Sequence, residues 1–510
     1  MIVEDQSEVV ALLCDPASHG GAAVEVIETH AAVVVLAGAT AYKLKRAVRF
    51  PFLDFSTAAK RRVACEAEVR LNSRTAPELY RGVVAVTRGA GGALAIGGEG
   101  IAVDWLVVMR RFDQDRLFDR LAARGELTGA LMQELADAIA DFHDGAEPRP
   151  DKGGRAGIAQ VIDGNMETLR GPGAGTFKAA ELDRLERLWR EAVESGAGLL
   201  EARRAGGLVR WCHGDLHLRN ICLIDGRPTL FDGIEFNPDI ACIDVLYDLA
   251  FLLMDLQHRR LGAFANLVLN RYLGRTEDVA GCALLGLFQS LRAGVRAMVA
   301  AIEAGEGQAE MAGEARAYFR LALAFFDSPP ARLIAIGGLS GTGKSTLAAA
   351  IAPEIGAAPG ALVLRSDVVR KRLFAVPPEQ RLGPEAYGGD IDRRVYERLR
   401  TLARQGLAAG RAVIVDAVYA RPAERAALAQ LAESARVPFT GLWLEAAPEV
   451  LRRRVGGRGA DASDATAAIV TRQLAYDLGD IAWARLAADA DTSALRKAAL
   501  GVIARPAAGD

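Results

Sequence analysis

Residues 338–345 read GLSGTGKS and form a complete G-x-x-x-x-G-K-[ST] phosphate loop. An apolar run at 333–336 precedes this stretch, and a helix-favouring run at 346–350 follows it. This strand, loop and helix context makes the match specific. Glycines let successive backbone N–H groups face phosphate oxygens, and the N-terminus of the following helix adds positive potential. The sequence therefore predicts a nucleoside triphosphate site.

The loop residues have separate expected roles. Lys344 is expected to reach the β- and γ-phosphates and to act in catalysis, and Ser345 is expected to bind Mg²⁺. The rest of the loop is expected to cradle the nucleotide; these residues are Gly338, Ser340, Gly341, Thr342, Gly343 and Thr346. The predicted cofactors are ATP and Mg²⁺.

Composition limits the partners that we expect. The net charge of −2 gives no basic surface for nucleic acid or for an anionic membrane. The first residues lack the pattern of a secretion signal, and even the apolar stretch 245–256 contains two aspartates. The six cysteines form no CxxC pair, which favours reduced thiols over a zinc site or disulfides. We expect a cytoplasmic protein with a small-molecule partner, and the oligomeric state stays open.

Two prolines at 329–330 end a helical pattern that covers residues 314–326. They predict a boundary between domains at 1–326 and 331–510. In the first domain, predicted strands lie at 24–27, 33–36, 41–44, 83–86 and 103–109, and helical patterns follow from residue 129. Residues 89–100 are interpreted as a flexible hairpin loop. This order predicts an α+β domain with a strand-rich lobe and a helical lobe.

The second domain alternates short apolar runs with amphipathic segments. The runs lie at 333–336, 361–364, 412–415 and 439–444. Such alternation predicts an α/β fold with a parallel sheet that helices cover on both faces.

A second phosphoryl-transfer signature lies at residues 213–220, which read HGDLHLRN. An aspartate on such a loop accepts the proton of a substrate hydroxyl, an asparagine shortly after it binds metal, and a further aspartate after the next strand binds metal as well. These roles predict Asp215 as the catalytic base and Asn220 and Asp232 as the metal ligands. A hairpin between residues 222 and 231 would bring them together.

The HGD-x-H-x-x-N pattern resembles the aminoglycoside phosphotransferase group of the protein-kinase-like fold, over most of residues 1–325. The resemblance implies that Lys43 contacts phosphate and that Glu68 is its helical partner, with Glu66 as a rival. An exposed basic strand edge, shared with Lys45, is the alternative for Lys43. Asp248 resembles a residue that supports the catalytic loop in this group.

One departure from this group concerns the nucleotide loop. No glycine-rich loop precedes Lys43, and the only stretch in that position, residues 36–40, is short. The first domain is therefore open to two interpretations, a kinase or a ligand sensor.

The second domain resembles small-molecule kinases of the phosphate-loop class, which include gluconate, shikimate, adenylylsulfate and zeta-toxin-like kinases; the fold implied is that of nucleoside kinases. The resemblance implies that Asp367 faces the acceptor hydroxyl as a base, and that Arg370 and Arg372 bind an anionic acceptor. Alternatively, Asp367 caps a helix and the arginines form a solvated face.

Two further segments support this interpretation. Residues 413–416 resemble a strand that ends in a metal-binding carboxylate, Asp416, and the next residue is Ala417. ATPases of the AAA class place a glutamate there, so Ala417 favours a kinase. Arg454 and Arg458 lie before a glycine-rich segment that resembles a lid, where either would stabilise charge on the γ-phosphate; a soluble basic helix is the alternative.

The order of motifs resembles bacterial two-domain proteins that join these two kinase types. The implied function is a bifunctional ATP-dependent phosphotransferase that acts on hydroxyl groups of small molecules. Two alternatives stay open. The first is a phosphate-loop kinase or ATPase regulated by a ligand-sensing kinase-like domain, and the second is a nucleotide-driven switch without an acceptor.

Overall fold

The computed structural model describes residues 3–50, 53–171, 175–305, 308–457, 462–489 and 491–505. The strands are β1 Val24–Glu28, β2 Ala32–Ala37, β3 Thr40–Lys45, β4 Arg49–Phe50, β5 Leu53–Asp54, β6 Tyr80–Arg88, β7 Leu94–Ile96, β8 Ile101–Arg110, β9 Val209–Trp211, β10 Ile221–Ile224, β11 Arg227–Leu230, β12 Cys242–Asp244, β13 Leu333–Gly337, β14 Leu362–Arg365, β15 Val413–Asp416, β16 Phe439–Glu445 and β17 Ala484–Ala487.

The helices begin and end as follows: α1 Ser7–Cys14, α2 Ala58–Asn72, α3 Phe118–Ala123, α4 Gly129–Gly145, α5 Gly154–Arg170, α6 Ala179–Ala205, α7 Pro238–Ala241, α8 Val245–His258, α9 Gly262–Thr276, α10 Leu285–Gly305, α11 Met311–Ala324, α12 Lys344–Ile351, α13 Ser366–Leu373, α14 Gly389–Ala408, α15 Pro422–Ala435, α16 Pro448–Gly456, α17 Ala467–Leu474 and α18 Thr492–Ile503.

The chain forms two compact units. The first combines Met1–Ile158 with Leu200–Leu252, and the second combines Ala159–Leu199 with Leu253–Asp510. The boundary predicted from the two prolines lies inside the second unit and stays a prediction.

An antiparallel sheet of six strands, in the order β1-β2-β3-β8-β6-β7, dominates the first unit. All five strands predicted here are confirmed. The hairpin predicted at 89–100 is present, but its loop is shorter than predicted, because β7 lies within this segment and pairs antiparallel with β6. Leu94 and Ile96 of β7 pack on the apolar core below the sheet, which explains why this short segment is extended. The predicted hairpin of the catalytic loop is confirmed as β10 and β11.

The second unit contains a parallel sheet of five strands in the order β14-β15-β13-β16-β17. The four predicted strands and their parallel direction are confirmed. Sequence reasoning missed β17, because its residues are half exposed and contain no apolar run. Apolar residues of α12 and α18 pack on the central strands and form the main core. The carboxyl ends of β13, β14 and β15 meet at one edge, where an open α/β sheet places its ligands.

Within the part of the chain that the structure describes, one helical segment, Ala280–Gly305, is long and apolar enough to cross a membrane. Of its most apolar window, 67% is buried inside the protein, a property that it shares with helices in protein cores.

Candidate active sites

The first candidate site joins β3, α2 and Asp232, which lies two residues after the end of β11. Lys43 on β3 donates from Nζ to Glu68 Oε1 at 2.9 Å and to Asp232 Oδ1 at 2.5 Å. Burial opposes the positive charge, but the carboxylates of Asp232 and Glu68 outweigh it and raise the pKa of Lys43 well above its usual value. Three residues predicted from distant parts of the sequence therefore meet.

The geometry distinguishes Glu68 from its rival. Glu66 is half exposed and accepts from Arg62 at 2.8 Å, since residues two apart on a helix point in nearly opposite directions. Lys45 is buried, contrary to the alternative of an exposed strand edge, and bonds to Glu68 Oε2 at 2.6 Å and to Glu235. Burial favours the neutral form of Glu68, yet the two lysines hold its pKa at about 2. Sequence reasoning missed Glu235, whose only signal was its place shortly after a predicted metal ligand.

The predicted catalytic loop follows β9 and carries Asp215. Asn220 Nδ2 donates to Asp215 Oδ2 at 2.8 Å and to the Asp215 backbone carbonyl at 3.0 Å. His217 Nε2 lies 3.3 Å from Asp215 Oδ2. Asp215, the predicted base, is thus in contact with two polar side chains of its loop.

Asp248 on α8 supports this loop from below. Its two carboxylate oxygens accept the backbone N–H groups of Gly214 at 2.8 Å and His213 at 3.1 Å. His143 Nε2 lies 3.1 Å from the oxygen that His213 contacts. Burial lowers the pKa of His213 below its ordinary value, although the nearby Asp248 and Asp215 oppose the shift.

The predicted metal ligands lie next to each other. The Phe231 N–H donates to the Asn220 carbonyl at 3.0 Å, which places the following Asp232 beside Asn220. Asp232 has a φ of 60°, a left-handed conformation that is uncommon outside glycine and that aspartate adopts more readily than most residues. Its N–H donates to Tyr80 Oη at 3.1 Å. Amide and carboxylate oxygens are ligands that Mg²⁺ accepts, so the pair fits the predicted metal.

The turn between β2 and β3 contains only Gly38 and Ala39, because Ala37 pairs with Thr40. It is a tight hairpin and not an open glycine-rich flap. A polar cavity of about 460 Å³ lies beside it, and its lining includes Glu25, Gly38, Arg111, Phe112 and Asp115.

The second candidate site begins with the phosphate loop between β13 and α12. Gly338 has a φ of 138°, and a Cβ there would lie 2.6 Å from the carbonyl oxygen of Leu444. Gly341 has a φ of 87°, and a Cβ there would lie 2.8 Å from the carbonyl oxygen of Leu451. Only glycine fits these two positions. The helix α12 begins at Lys344, in agreement with the prediction.

A cavity of about 410 Å³ opens in front of this loop. Eight of the predicted residues line it: Ser340, Gly341, Gly343, Lys344, Ser345, Asp367, Arg370 and Asp416. Three predicted loop residues do not line it. Thr342 donates its hydroxyl to the Leu339 carbonyl at 2.8 Å, Gly338 packs against β16, and Thr346 is exposed on α12.

Ser345 and Asp416 form the centre of this site. The Ser345 hydroxyl donates to Asp416 Oδ2 at 2.5 Å, and Asp416 ends β15 beside the strand that leads into the loop. Lys344 Nζ donates to the Leu339 carbonyl at 3.1 Å. A hydroxyl and a carboxylate in contact are hard oxygen donors, and they fit Mg²⁺.

Asp367 lies in the first turn of α13, directly after β14, and faces the same cavity. Burial raises the pKa of Asp367. The positive charges of Arg365 and Lys344 oppose this shift, and so does a hydrogen bond from Ser463. The alternative of a helix cap does not fit, because Arg365 holds the N-cap position.

The two arginines predicted to bind an anionic acceptor differ. Arg370 lines the cavity, but it donates to Asp392 at 2.7 Å and to the Ala386 carbonyl at 2.6 Å. Arg372 is exposed and lines a separate small cavity beside α9, so its predicted place in the site is wrong. Helix geometry explains the difference, since residues two apart point to different sides.

The predicted lid also differs from the structure. Arg454 on α16 is not among the residues that line the cavity, and Arg458 lies outside the described residues. Helix α17 lines the cavity instead, and its Arg472 and Gln473 lie on the cavity wall. Sequence reasoning also missed other lining residues, among them Tyr387, Asp392, Tyr396, Arg421, Glu424 and Asp464. The segments that carry them showed no motif in the sequence.

Comparisons with known proteins agree with the two sites. The model of the phosphotransferase enzyme family matches residues 37–285, and a model described as an AAA domain matches residues 333–477. The uncharacterized protein Rv2004c of Mycobacterium tuberculosis strain H37Rv is 32% identical over 468 residues, which cover 89% of this chain and 91% of that protein. The uncharacterized protein Mb2027c of Mycobacterium bovis matches with the same identity and coverage.

Three solved structures from kinase families are similar to parts of the chain. A choline/ethanolamine kinase family protein from Mesorhizobium loti is 15% identical with a TM-score of 0.41, and the match covers 64% of this chain and 95% of that one. An APS kinase from Mycobacterium tuberculosis, in complex with AMPPNP and APS, is 20% identical with a TM-score of 0.26, covering 35% and 99%. A gluconokinase from Sinorhizobium meliloti is 22% identical with a TM-score of 0.25, covering 34% and 93%.

The relatives cover 89% of the chain, and the two family models match the segments that carry the two sites. The chain belongs to the family of two-domain bacterial proteins that join an aminoglycoside-phosphotransferase-like kinase domain to a phosphate-loop kinase domain.

Proposed function

We propose that the protein is a bifunctional ATP-dependent phosphotransferase that phosphorylates hydroxyl groups of small molecules. One observation carries the proposal for the second site: Asp367, Lys344 and the Ser345–Asp416 pair line a single cavity. A carboxylate for the acceptor, a cation for the phosphates and hard oxygen ligands for a metal are the groups that phosphoryl transfer uses.

Each residue has a defined part in this reaction. Asp367 orients the acceptor hydroxyl and takes its proton while the acceptor oxygen forms a bond to the γ-phosphorus. The bond from that phosphorus to the β,γ-bridging oxygen breaks, and ADP leaves with the electron pair. Lys344 neutralises charge that develops on the phosphates. Ser345 and Asp416 would hold Mg²⁺, which supplies further neutralisation of phosphate charge when bound.

The cavity supports a hydroxylated, uncharged acceptor better than an anionic one. Six carboxylates and four basic side chains line it. Arg370 is already paired with Asp392, and Lys344 lies in the phosphate loop, which leaves few cations for an acidic substrate. Six free cysteines, five of them buried, support the cytoplasm as the proposed compartment.

The substitution Asp367→Asn tests the second site. A neutral side chain cannot take the proton, so transfer to an acceptor should fall by about 100-fold or more, while ATP affinity stays nearly unchanged because Lys344 and the loop backbone are intact. A screen of metabolite extracts with γ-labelled ATP supplies the acceptor, and calorimetric titration gives the affinity. Unimpaired transfer would disprove the role of Asp367 as base.

At the first site, Asp215 would act as base, and Asn220 and Asp232 would hold a metal ion. The regulatory alternative, a ligand-sensing domain that controls the phosphate-loop kinase, also has an observation in its favour. The β2–β3 turn offers no glycine-rich flap, and Lys43 already contacts the metal-binding Asp232. Nucleotide affinity decides between the two interpretations.

We expect the full-length Lys344→Ala variant, whose second site is impaired, to retain one nucleotide site with sub-millimolar affinity. Adding Lys43→Ala should remove that binding, because the ammonium group facing the phosphates is lost. The exposed Lys60→Ala change on α2 is the matched control. If titration of Mg·ATP into Lys344→Ala shows no binding at millimolar nucleotide, the regulatory interpretation replaces the bifunctional one.

A further inference from the structure

One face of helix α17 forms a wall of the second cavity. The lining residues from this helix and the residues just after it are Ile469, Arg472, Gln473, Tyr476 and Asp477. Ile469, Arg472 and Gln473 are spaced three and four positions apart, which is the spacing of a single helical face, and Tyr476 and Asp477 follow the end of the helix. The helix therefore presents a continuous surface to the phosphate loop.

Gln473 on this face contacts the loop directly. Its Oε1 accepts the backbone N–H of Ser340 at 2.8 Å, and the residue is only 8% exposed. Ser340 is the third residue of the phosphate-loop motif and lines the same cavity. Because a backbone N–H requires an acceptor, the amide oxygen must face Ser340 and the amide nitrogen must face away. No side chain or carbonyl in the described ranges accepts from Nε2.

The segment that precedes α17 is also held in place. Asp464 accepts from Lys371 Nζ at 2.7 Å, from Tyr387 Oη at 2.6 Å and from the Leu382 N–H at 3.0 Å. Lys371 is 1% exposed, so this ion pair is sheltered from water. Val470 packs against α16 in a small apolar cluster. The amide of Gln473 thus lies on a fixed support.

We propose that Gln473 is a positioning residue for phosphoryl transfer, and that its Nε2 donates a hydrogen bond to an equatorial oxygen of the group being transferred. The proposal rests on the proposed function of this cavity. Negative charge spreads over the three equatorial oxygens as the bond to ADP breaks and the bond to the acceptor forms. A preorganised donor at that point stabilises the transition state more than the bound nucleotide. Gln473 then fills the role that the sequence assigned to lid arginines.

The test compares Gln473→Glu with Gln473→Leu in the full-length chain, in a Lys43→Ala background that removes nucleotide binding and turnover at the first site. The glutamate keeps an oxygen for the Ser340 N–H and loses the donor, whereas the leucine loses both. The exposed Gln430→Glu change on α15 controls for added charge. Binding of ADP and of ADP with aluminium fluoride, an analogue of the transferred phosphoryl group, is measured together with hydrolysis of Mg·ATP.

We expect both Gln473 variants to bind ADP within about twofold of the parent, and to lose about 100-fold in hydrolysis and in binding of the aluminium fluoride complex. If Gln473→Glu matches the parent while Gln473→Leu loses ADP affinity, Gln473 only supports the loop and the proposal is wrong. Failure of the underlying function looks different: the parent itself would not bind ADP, which overturns both proposals. Melting curves of each variant identify loss of folding.

Discussion

Burial of Asp367 links its proposed chemistry to the stability of the fold. Its surroundings raise its pKa above the ordinary value of 3.8, chiefly because the cavity shelters the carboxylate from water. The folded protein therefore binds a proton at this group more readily than the unfolded chain does. It follows that the ionised side chain destabilises the folded state, while only the ionised side chain acts as a base.

This linkage gives a pH prediction for Asp367→Asn. As pH rises from 3.8 through the raised pKa, the parent loses the stability that a neutral Asp367 contributes, because the unfolded state binds fewer protons in this window. The asparagine variant stays neutral, so its melting temperature should exceed that of the parent at pH 7.5, and the difference should shrink toward pH 4. Scanning fluorimetry across this range checks the result. A difference that is independent of pH would contradict the raised pKa.

At the scale of elements, helix α9 covers the edge of the parallel sheet in the second unit. Asn270 Oδ1 accepts the Val363 N–H at 2.7 Å, and its Nδ2 donates to the Ala361 carbonyl at 3.2 Å. Asn266 Nδ2 donates to the same carbonyl at 3.0 Å. The two side chains therefore bond to an edge strand, β14, as a neighbouring strand would. The same strand leads to Asp367.

Removal of this cover should destabilise the second unit. Asn270→Ala leaves the Val363 N–H without its partner, and we expect a loss of about 1–2 kcal/mol in the free energy of unfolding. Gln430→Ala, which removes an exposed amide from α15, should change it by less than about 0.5 kcal/mol. Denaturant titration of the full chain measures both. Equal stability of the two variants would show that α9 contributes nothing at this edge.

Helices α16 and α17 show that the sequence did not determine which helix faces the cavity. The basic run on α16 pointed to a lid, yet the cavity is lined by α17. A charge pattern marks a polar face, but the packing of α16 against α17 decides which helix faces the loop. Glu66 and Glu68 show the same effect on α2, since only one of two glutamates two positions apart on a helix can face Lys43.

At the scale of the whole molecule, the compact units do not follow the boundary that the prolines predict. Helix α9 lies within the segment that matches the phosphotransferase enzyme family, yet it belongs to the compact unit that contains the phosphate loop. Experiments on the second site are therefore best carried out on the full chain.

The sequence by itself determined both phosphoryl-transfer motifs, the strands of the first domain, the parallel sheet of the second and the resemblance to the family, because these depend on local spacing and periodicity. Tertiary structure alone decided that Glu68 and not Glu66 contacts Lys43, that Lys45 is buried against Glu68, that Arg372 lies away from the cavity, and that Gln473 contacts the phosphate loop. The physical reason is that these contacts join residues far apart in the chain. Packing decides which face of a helix contacts these distant partners, and packing has no local signature in the sequence.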